Sequence, residues 1–348
     1  MYPFRVFISH ASEDTELVER VAVVLQRIGL APIWDKGIPG GAAFDQEICR
    51  RIATAHLFMP LLTPHSAEKA WVHQEIGYAL GISIPVLPIA IGILPLAMLS
   101  RIQAISVSSD LSNLREEIEQ ADTEALIMPT RSQTELDRLG VTTQVAEFSE
   151  DRARTLVKFA KEIRVPARVR QRAIFSSFSL PVEPPTHQIW NSIELAQPRS
   201  ERFRALLRDE RCVLGQHALT AGCSLILTPF VDFASVGHQV HRTQLQLLQR
   251  FLLTLPKEAA KVAFSRGPFL GSLTLVGDSF GAKALPPQPG AEYRQTLFSH
   301  HGPTVLRWLY DFDEELHDCL RLDGIADQES RDYAVAEIEK RLRELPIG

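Results

Sequence analysis

Cysteine is scarce in this chain: Cys49, Cys212, Cys223 and Cys319 are spread over 348 residues. None forms a Cys-x-x-Cys pair, so neither a zinc site nor a disulfide framework is indicated. The glycines make neither Gly-x-Gly-x-x-Gly nor Gly-x-x-x-x-Gly-Lys-Ser/Thr, which excludes a Rossmann dinucleotide clamp and a P-loop. Long apolar runs are missing too. Residues 84–99 are apolar, but Pro85, Pro88 and Pro95 interrupt them and they are too short to span a bilayer. Over residues 166–348, repeats and low-complexity tracts do not occur. An excess of positive charge is lacking: the formal net charge is −5, which argues against a general polyanion binder but leaves room for a local basic groove. The chain opens directly on a strand, with no signal peptide expected. These absences together give the expectation of a soluble, cytoplasmic protein with no membrane contact and no metal.

Apolar residues are abundant. With 45% hydrophobic and 23% charged residues, the chain has enough material for a core, and its length suggests two domains. Phe4–Ser9 reads as a short buried strand that ends in the polar loop Ser9-His10-Ala11-Ser12-Glu13-Asp14. Ser12 or Asp14 is expected to cap a helix over about 14–28, with Leu17, Val21, Val24, Leu25 and Ile28 inward and Gly29 as its stop. Ala31–Trp34 is the next strand. The loop Asp35–Ala42 follows, with three glycines in eight residues. A helix over about 44–55, a strand at 57–62, a helix over 71–82 and a strand at 84–91 come next. A short strand at 102–107 and a helix capped by Asp110 and running to Gln120 complete the series. Strands alternating with helices imply parallel pairing and right-handed crossovers, hence a flavodoxin-like doubly wound α/β sheet.

The stretch Trp71-Val72-His73-Gln74-Glu75-Ile76-Gly77-Tyr78-Ala79-Leu80 organises this half. Val72, Ile76, Ala79 and Leu80 fall on one helical face and Glu75 lies just off it. The helix opens between two buried strands, at the sheet edge where α/β folds place their sites. Four segments then occur in order at matching spacings: Phe4–Asp14, Trp34–Gly40, Ala55–Thr63, and Ser66 followed by Trp71-x-x-x-Glu75-x-x-x-Ala79. Together they resemble a bacterial TIR domain over about the first third of the chain. The resemblance implies one of two functions: a non-enzymatic adaptor that joins other TIR domains, or an NAD⁺-cleaving enzyme. The enzymatic branch uses a Glu on the helix after the third strand, which matches Glu75. Its nucleotide cleft is lined by the loop after the first strand, matching Ser9, His10 and Ser12. The glycine-rich loop Trp34–Gly41, with Asp35, closes over that cleft and joins neighbouring TIR domains.

The chemistry is consistent with a single carboxylate. Nicotinamide leaves NAD⁺ as a neutral molecule, so no general acid is needed, unlike the carboxylate pair of ordinary glycoside hydrolysis. One carboxylate stabilises the charge that develops on the ribose. Trp34 is read either as a ring stacked on nicotinamide or adenine or as plain packing, and Trp71 stands one turn before Glu75. His10 is read as a phosphate or ribose contact or as a structural residue. Ser9, Ser12 and Asp35 have alternative readings as caps and turn residues.

Domain limits are expected at 1–125 for the TIR-like part, 126–165 for a linker and connecting helix, and 166–348 for a second domain. That second domain resembles nothing identified, and its pattern suggests α+β or α/β. Arg168, Arg170 and Arg172 form a basic run, Leu225–Leu227 and Leu273–Val276 read as strands, and helices are expected at 199–209, 242–254, 303–320 and 327–345. Val276-Gly277-Asp278-Ser279-Phe280 and the run from Tyr293 to Pro303 look like the rim of a ligand pocket, with His238, His241 and Arg242 as further candidates. Asp278, Arg294 and His301 are the expected ligand-sensing residues. Ser279 lacks the nucleophile-elbow frame. The function expected is an NAD⁺ glycohydrolase effector (no cofactor, NAD⁺ as substrate). It is switched on when a ligand or partner at residues 166–348 drives TIR–TIR self-association, as in abortive-infection proteins that deplete NAD⁺ against phage. Linear or cyclic ADP-ribose is the product.

Overall fold

The computed structural model describes residues 4–34, 42–66, 69–92, 104–127, 143–146, 149–180, 201–228, 238–285 and 295–345. The chain divides into two units: Met1–Thr143 with His300–Arg307, and Gln144–Ser299 with Trp308–Gly348.

The first unit is built on a five-stranded sheet in the order β2-β1-β3-β4-β5, with β1 Arg5–Ser9, β2 Ala31–Trp34, β3 Leu57–Leu62, β4 Ile89–Ile91 and β5 Ile105–Val107. The registered pairs are parallel, and the order is the flavodoxin-like 2-1-3-4-5. Pro32 is tolerated because β2 lies at the sheet edge. Helices α1 Thr15–Arg27, α2 Ala42–Thr54, α3 Ala70–Gly81, α4 Leu114–Gln120 and α5 Thr123–Ile127 intervene. Ile48, Ile52, Val72, Ile76 and Ala79 pack with Phe7, Phe58 and Leu62 in one buried cluster. Gly29, at φ +85°, stops α1 as expected.

Several local expectations are corrected. The buried face of α1 keeps the expected Val21 and Leu25 but takes Val18 and Ala22, while Leu17, Val24 and Ile28 are only half-buried. Leu80 on α3 is exposed. Neither Ser12 nor Asp14 caps α1. The Asp14 carboxylate is spent on Thr63 and His65 instead. Asp110 caps a turn, accepting from the Ser112 amide at 3.0 Å, and α4 starts later, at Leu114. The strand expected at 84–91 shrinks to Ile89–Ile91, with a lone bridge between Phe58 and Val86, because Pro85 and Pro88 have no N–H to give the ladder.

The second unit carries a seven-stranded sheet in the order β6-β12-β11-β10-β7-β8-β9. Its strands are β6 Thr143–Ala146, β7 Val169–Ala173, β8 Cys223–Leu227, β9 Ala260–Phe264, β10 Leu273–Val276, β11 Phe280–Ala284 and β12 Thr296–Ser299. β7, β8 and β9 are parallel; β10, β11 and β12 continue the sheet antiparallel from β7. The helices are α6 Ser149–Glu162, α7 Glu201–Ala221, α8 His238–Thr254, α9 Gly302–Asp323 and α10 Ser330–Glu344. α6, the expected connecting helix, is part of this core: Leu156 and Ala160 join Val169, Leu225, Val262 and Phe280, and Phe159 lies 5.4 Å from the Phe280 ring. α7 runs well past the expected residue 209, because Glu210, which reads as a surface charge, is buried against Arg152. The basic run is itself a strand. Arg170 forms a two-pronged pair with Asp313, at 2.7 and 2.9 Å, and Arg172 reaches Glu315 at 2.5 Å, both on α9.

Candidate active site

The strand order reverses between β1 and β3, which stay paired up to Ser9 and Pro60; the connections that follow them run in opposite directions and leave a crevice outside these strand ends, the usual ligand position of this fold. Ser9 is the last residue of β1 and is 1% exposed. Glu75 lies in the second turn of α3 and is 8% exposed. The Ser9 hydroxyl donates to Glu75 Oε2 at 2.5 Å, a short bond of the kind made to a charged acceptor. The loops after β1 and β3 are tied together beside it. Asp14 Oδ2 accepts from Thr63 Oγ1 at 2.6 Å, Asp14 Oδ1 lies 3.0 Å from His65 Nδ1, and Ser66 Oγ accepts from the Thr63 amide at 2.8 Å.

Between α2 and α3 lies a cavity of about 270 Å³, lined by Ile48, Cys49 and Ile52 on one side and Trp71, Gln74, Glu75 and Tyr78 on the other. It exposes one carboxylate among apolar and aromatic walls. Burial, and secondarily the neighbouring Cys49 thiol, pushes the Tyr78 phenol above its ordinary value. Such a site can hold a flat ring against Trp71 or Tyr78 and present one negative charge to a cation.

Residues 6–126 match the family model described as TIR domain. This segment is a TIR domain. No curated protein matches the chain. Among the solved structures that are similar is that of TrmBL2, an archaeal chromatin protein whose title reports a novel mode of DNA binding. The identity is 8% and the TM-score 0.31, over 60% of this chain. This chain spans 61% of the length of that one. At that score the likeness carries no argument about either unit.

Within the TIR domain the structure brings together Glu75, Ser9 and Trp71. His10 follows β1 and is buried. Ser12 is exposed and donates to Glu13 at 3.0 Å. Trp34, half-buried at the end of β2, has its carbonyl 3.4 Å from Arg51 Nη1. Asp35 lies outside the described residues. Cys49, Gln74, Tyr78 and the Asp14–Thr63 bond went unread in the sequence. Gln74 and Tyr78 had a signal: positions 71, 74, 75 and 78 share one helical face.

Of the three expected sensing residues, Asp278 and His301 are among the described residues. Asp278 belongs to the second unit and sits in the three-residue loop of the β10–β11 hairpin, which Val276 and Phe280 close as a pair. Gly277, at φ +58°, makes that loop possible. The Gly-Asp-Ser run is therefore accounted for by turn chemistry. His301 counts with the first unit, where Nδ1 lies 2.7 Å from Thr304 Oγ1 in the first turn of α9. Arg294 lies outside the described residues, as does the His238 side chain. His241 and Arg242 are in the first turns of α8, where Arg242 donates to the Leu345 carbonyl at 3.1 Å. Among the described residues no group of three or more His, Cys, Asp and Glu is placed to hold a metal ion, and no helix is long and apolar enough to cross a membrane.

Proposed function

We propose that the TIR domain hydrolyses the nicotinamide–ribose bond of NAD⁺, with Glu75 as the carboxylate at the reacting carbon. The observation that carries this reading is the 2.5 Å bond from Ser9 to Glu75. It orients a buried carboxylate at the β1–β3 crevice, beside a cavity with aromatic walls. The C1′–N bond breaks with its electron pair going to the pyridinium nitrogen, so nicotinamide departs neutral. Positive charge then builds on the ribose, and a carboxylate already oriented and shielded from water stabilises it without reorganisation. Water adds to C1′, loses a proton to solvent and gives ADP-ribose; internal capture by the adenine gives the cyclic product.

A cavity of about 270 Å³ is small beside the roughly 300–1,000 Å³ of ordinary ligand sites, and a dinucleotide needs more. The reading therefore has a neighbouring TIR domain complete the cleft, so that self-association driven through the second unit switches cleavage on. An enzyme of this kind serves as an NAD⁺-depleting effector in defence against phage.

The test is nicotinamide release by the full-length protein at concentrations where it self-associates, for wild type and Glu75→Gln. Loss of one preorganised electrostatic stabiliser costs about 10²–10³-fold in turnover, with the circular dichroism spectrum unchanged. Wild-type turnover in the variant would remove Glu75 from the reaction, and no turnover by the wild type under these conditions would assign the domain to the adaptor class.

A further inference from the structure

On the second unit, the two faces of the central strands differ. Val169, Cys223 and Ala260 are in register and belong to the apolar core. One residue further along, Arg170, Ser224 and Lys261 are also in register. Side chains alternate along a strand, so this polar row points to the opposite face. Arg168, two residues before Arg170, joins it: Nε donates to Ser224 Oγ at 2.9 Å and Nη2 to the Cys223 carbonyl at 3.0 Å. These two bonds fix the plane of the guanidinium on β8.

Over this row lies a cavity of about 430 Å³, closed on its other side by α9 and by Asp327. Two carboxylates face it. Asp313 is committed to Arg170, and Asp327 pairs with Lys261. Arg168, Arg170 and Lys261 against those two acids leave an excess of one positive charge, before the exposed His317 on the rim is counted. A net cationic pocket of that kind stands out in a chain of formal charge −5. The Lys261–Asp327 pair is weakly held, with side chains 37% and 43% exposed, so an anion of higher charge can displace Asp327. Ser224, by contrast, is 2% exposed and Arg170 5% exposed, so the floor of the pocket is rigid.

We infer that this pocket binds a phosphate-bearing small molecule, held between Arg168 and Lys261. Strands two apart in a sheet are separated by about 10 Å, so these cations flank an anion from two sides. A single carboxylate is satisfied by one planar fork, whereas phosphate or pyrophosphate has oxygens for both. The volume lies within the usual range for small ligands. The inference deepens the proposed function, because it gives the second unit the chemistry of a trigger site and moves that site away from Asp278. It concerns binding, however, and does not need Glu75.

The test uses the full-length Glu75→Gln protein, which removes turnover from the measurement. Calorimetric titrations at low salt compare inorganic pyrophosphate, ADP and citrate. Pyrophosphate or ADP should bind, with citrate at least about tenfold weaker. Tighter ADP would point to a nucleotide source, and equal affinities to phosphate alone. Lys261→Gln and Arg168→Lys should each weaken binding about tenfold or more. Asp327→Asn should tighten it, a response that a purely structural pocket would not give. Asp278→Asn should leave it unchanged. Absence of heat with both phosphate probes at millimolar concentration would overturn the inference. So would citrate binding as tightly, or Lys261→Gln with wild-type affinity; that lysine is exposed enough for the variant to keep its fold. Any of these outcomes leaves the Glu75 assignment standing, and an inactive Glu75 site leaves this one standing.

Discussion

Removing the Ser9 hydroxyl isolates the contact on which the proposed active site turns. Ser9→Ala deletes one donor and leaves the Glu75 carboxylate, 8% exposed, without the bond at 2.5 Å. A hydrogen bond to a charged acceptor is worth about 1.5–3 kcal/mol. The chain should lose stability by about that amount, since the volume change is a single oxygen and no cavity term of consequence is added. If the hydroxyl also sets the angle at which Glu75 meets the ribose, kcat should fall roughly ten- to a hundredfold with little change in KM, because each factor of ten is about 1.4 kcal/mol of barrier. Ser9→Thr keeps the donor and should recover most of the turnover. Nicotinamide release against NAD⁺ concentration gives the kinetic half, and hydrogen exchange of peptides covering 5–9 and 70–81 gives the stability half. Stability lost with kcat intact would refute the positioning role and leave the bond purely structural. Both unchanged would refute the bond itself.

Three further outcomes are expected. Burial, then the Arg5 guanidinium and His301, push His56 down to about 2. The unfolded chain, titrating near 6.5, therefore binds the extra proton first, and stability is lost as pH falls below about 6.5, by up to roughly 1.4 kcal/mol per unit. Urea midpoints of wild type and His56→Leu between about pH 7 and pH 5 should show the shallower slope in the variant, and equal slopes would refute the assignment. Arg152→Met strands Glu210, which is 1% exposed and held at 2.8 and 2.9 Å by Arg152 and at 2.6 Å by Ser177. The cost should lie at the lower end of about 3–5 kcal/mol, because Arg152 itself is 29% exposed. Adding Glu210→Met should recover most of it, as read from exchange of α7 amides, and a double variant no better than the single would exclude coupling. Finally, a thiol reagent should modify exposed Cys212 in the native protein, while Cys223, buried and pushed up to about 12 by that burial, should react only on unfolding. Mass mapping of the labelled sites decides it.

The first unit was legible because each level of its sequence points the same way. Buried strands alternate with helices, and the topology that this implies appears as the order β2-β1-β3-β4-β5. The helix at 70–81 was found within a residue, and the resemblance to TIR domains singled out Glu75 on it. The details that failed did so where tertiary partners outbid local preference. Asp14 looks like a cap by its place before a helix, but Thr63 and His65, far along the chain, take its carboxylate. Proline chemistry shortened β4, and that was visible in Pro85 and Pro88 had the missing donors been weighed above the apolar run.

In the second unit the α/β class, the strands around 225–227 and 273–276 and most of the helices were legible, but its polar strand was not, because its polar residues are inside. A strand such as Val169-Arg170-Gln171-Arg172-Ala173 alternates, but with arginine where an apolar side chain is expected, so it resembles a solvated run. Its arginines are held against the acids of α9, through Asp313 and Glu315, and nothing local to residues 169–173 announces them. The same holds for sites. Trp71 and Glu75, one turn apart on one helix, could be singled out along the sequence, and Gln74 and Tyr78 on the same face were within reach of the same reading. The cationic row was not legible, because Arg170, Ser224 and Lys261 become neighbours only through the register of three parallel strands. Parallel pairing needs a crossover of a dozen residues or more between partners, so residues that meet across such a sheet cannot share a short motif. Sequence spacing finds sites built along one element; sites built across strands become visible only once the register is known, and the polar row on β7, β8 and β9 is of that second kind.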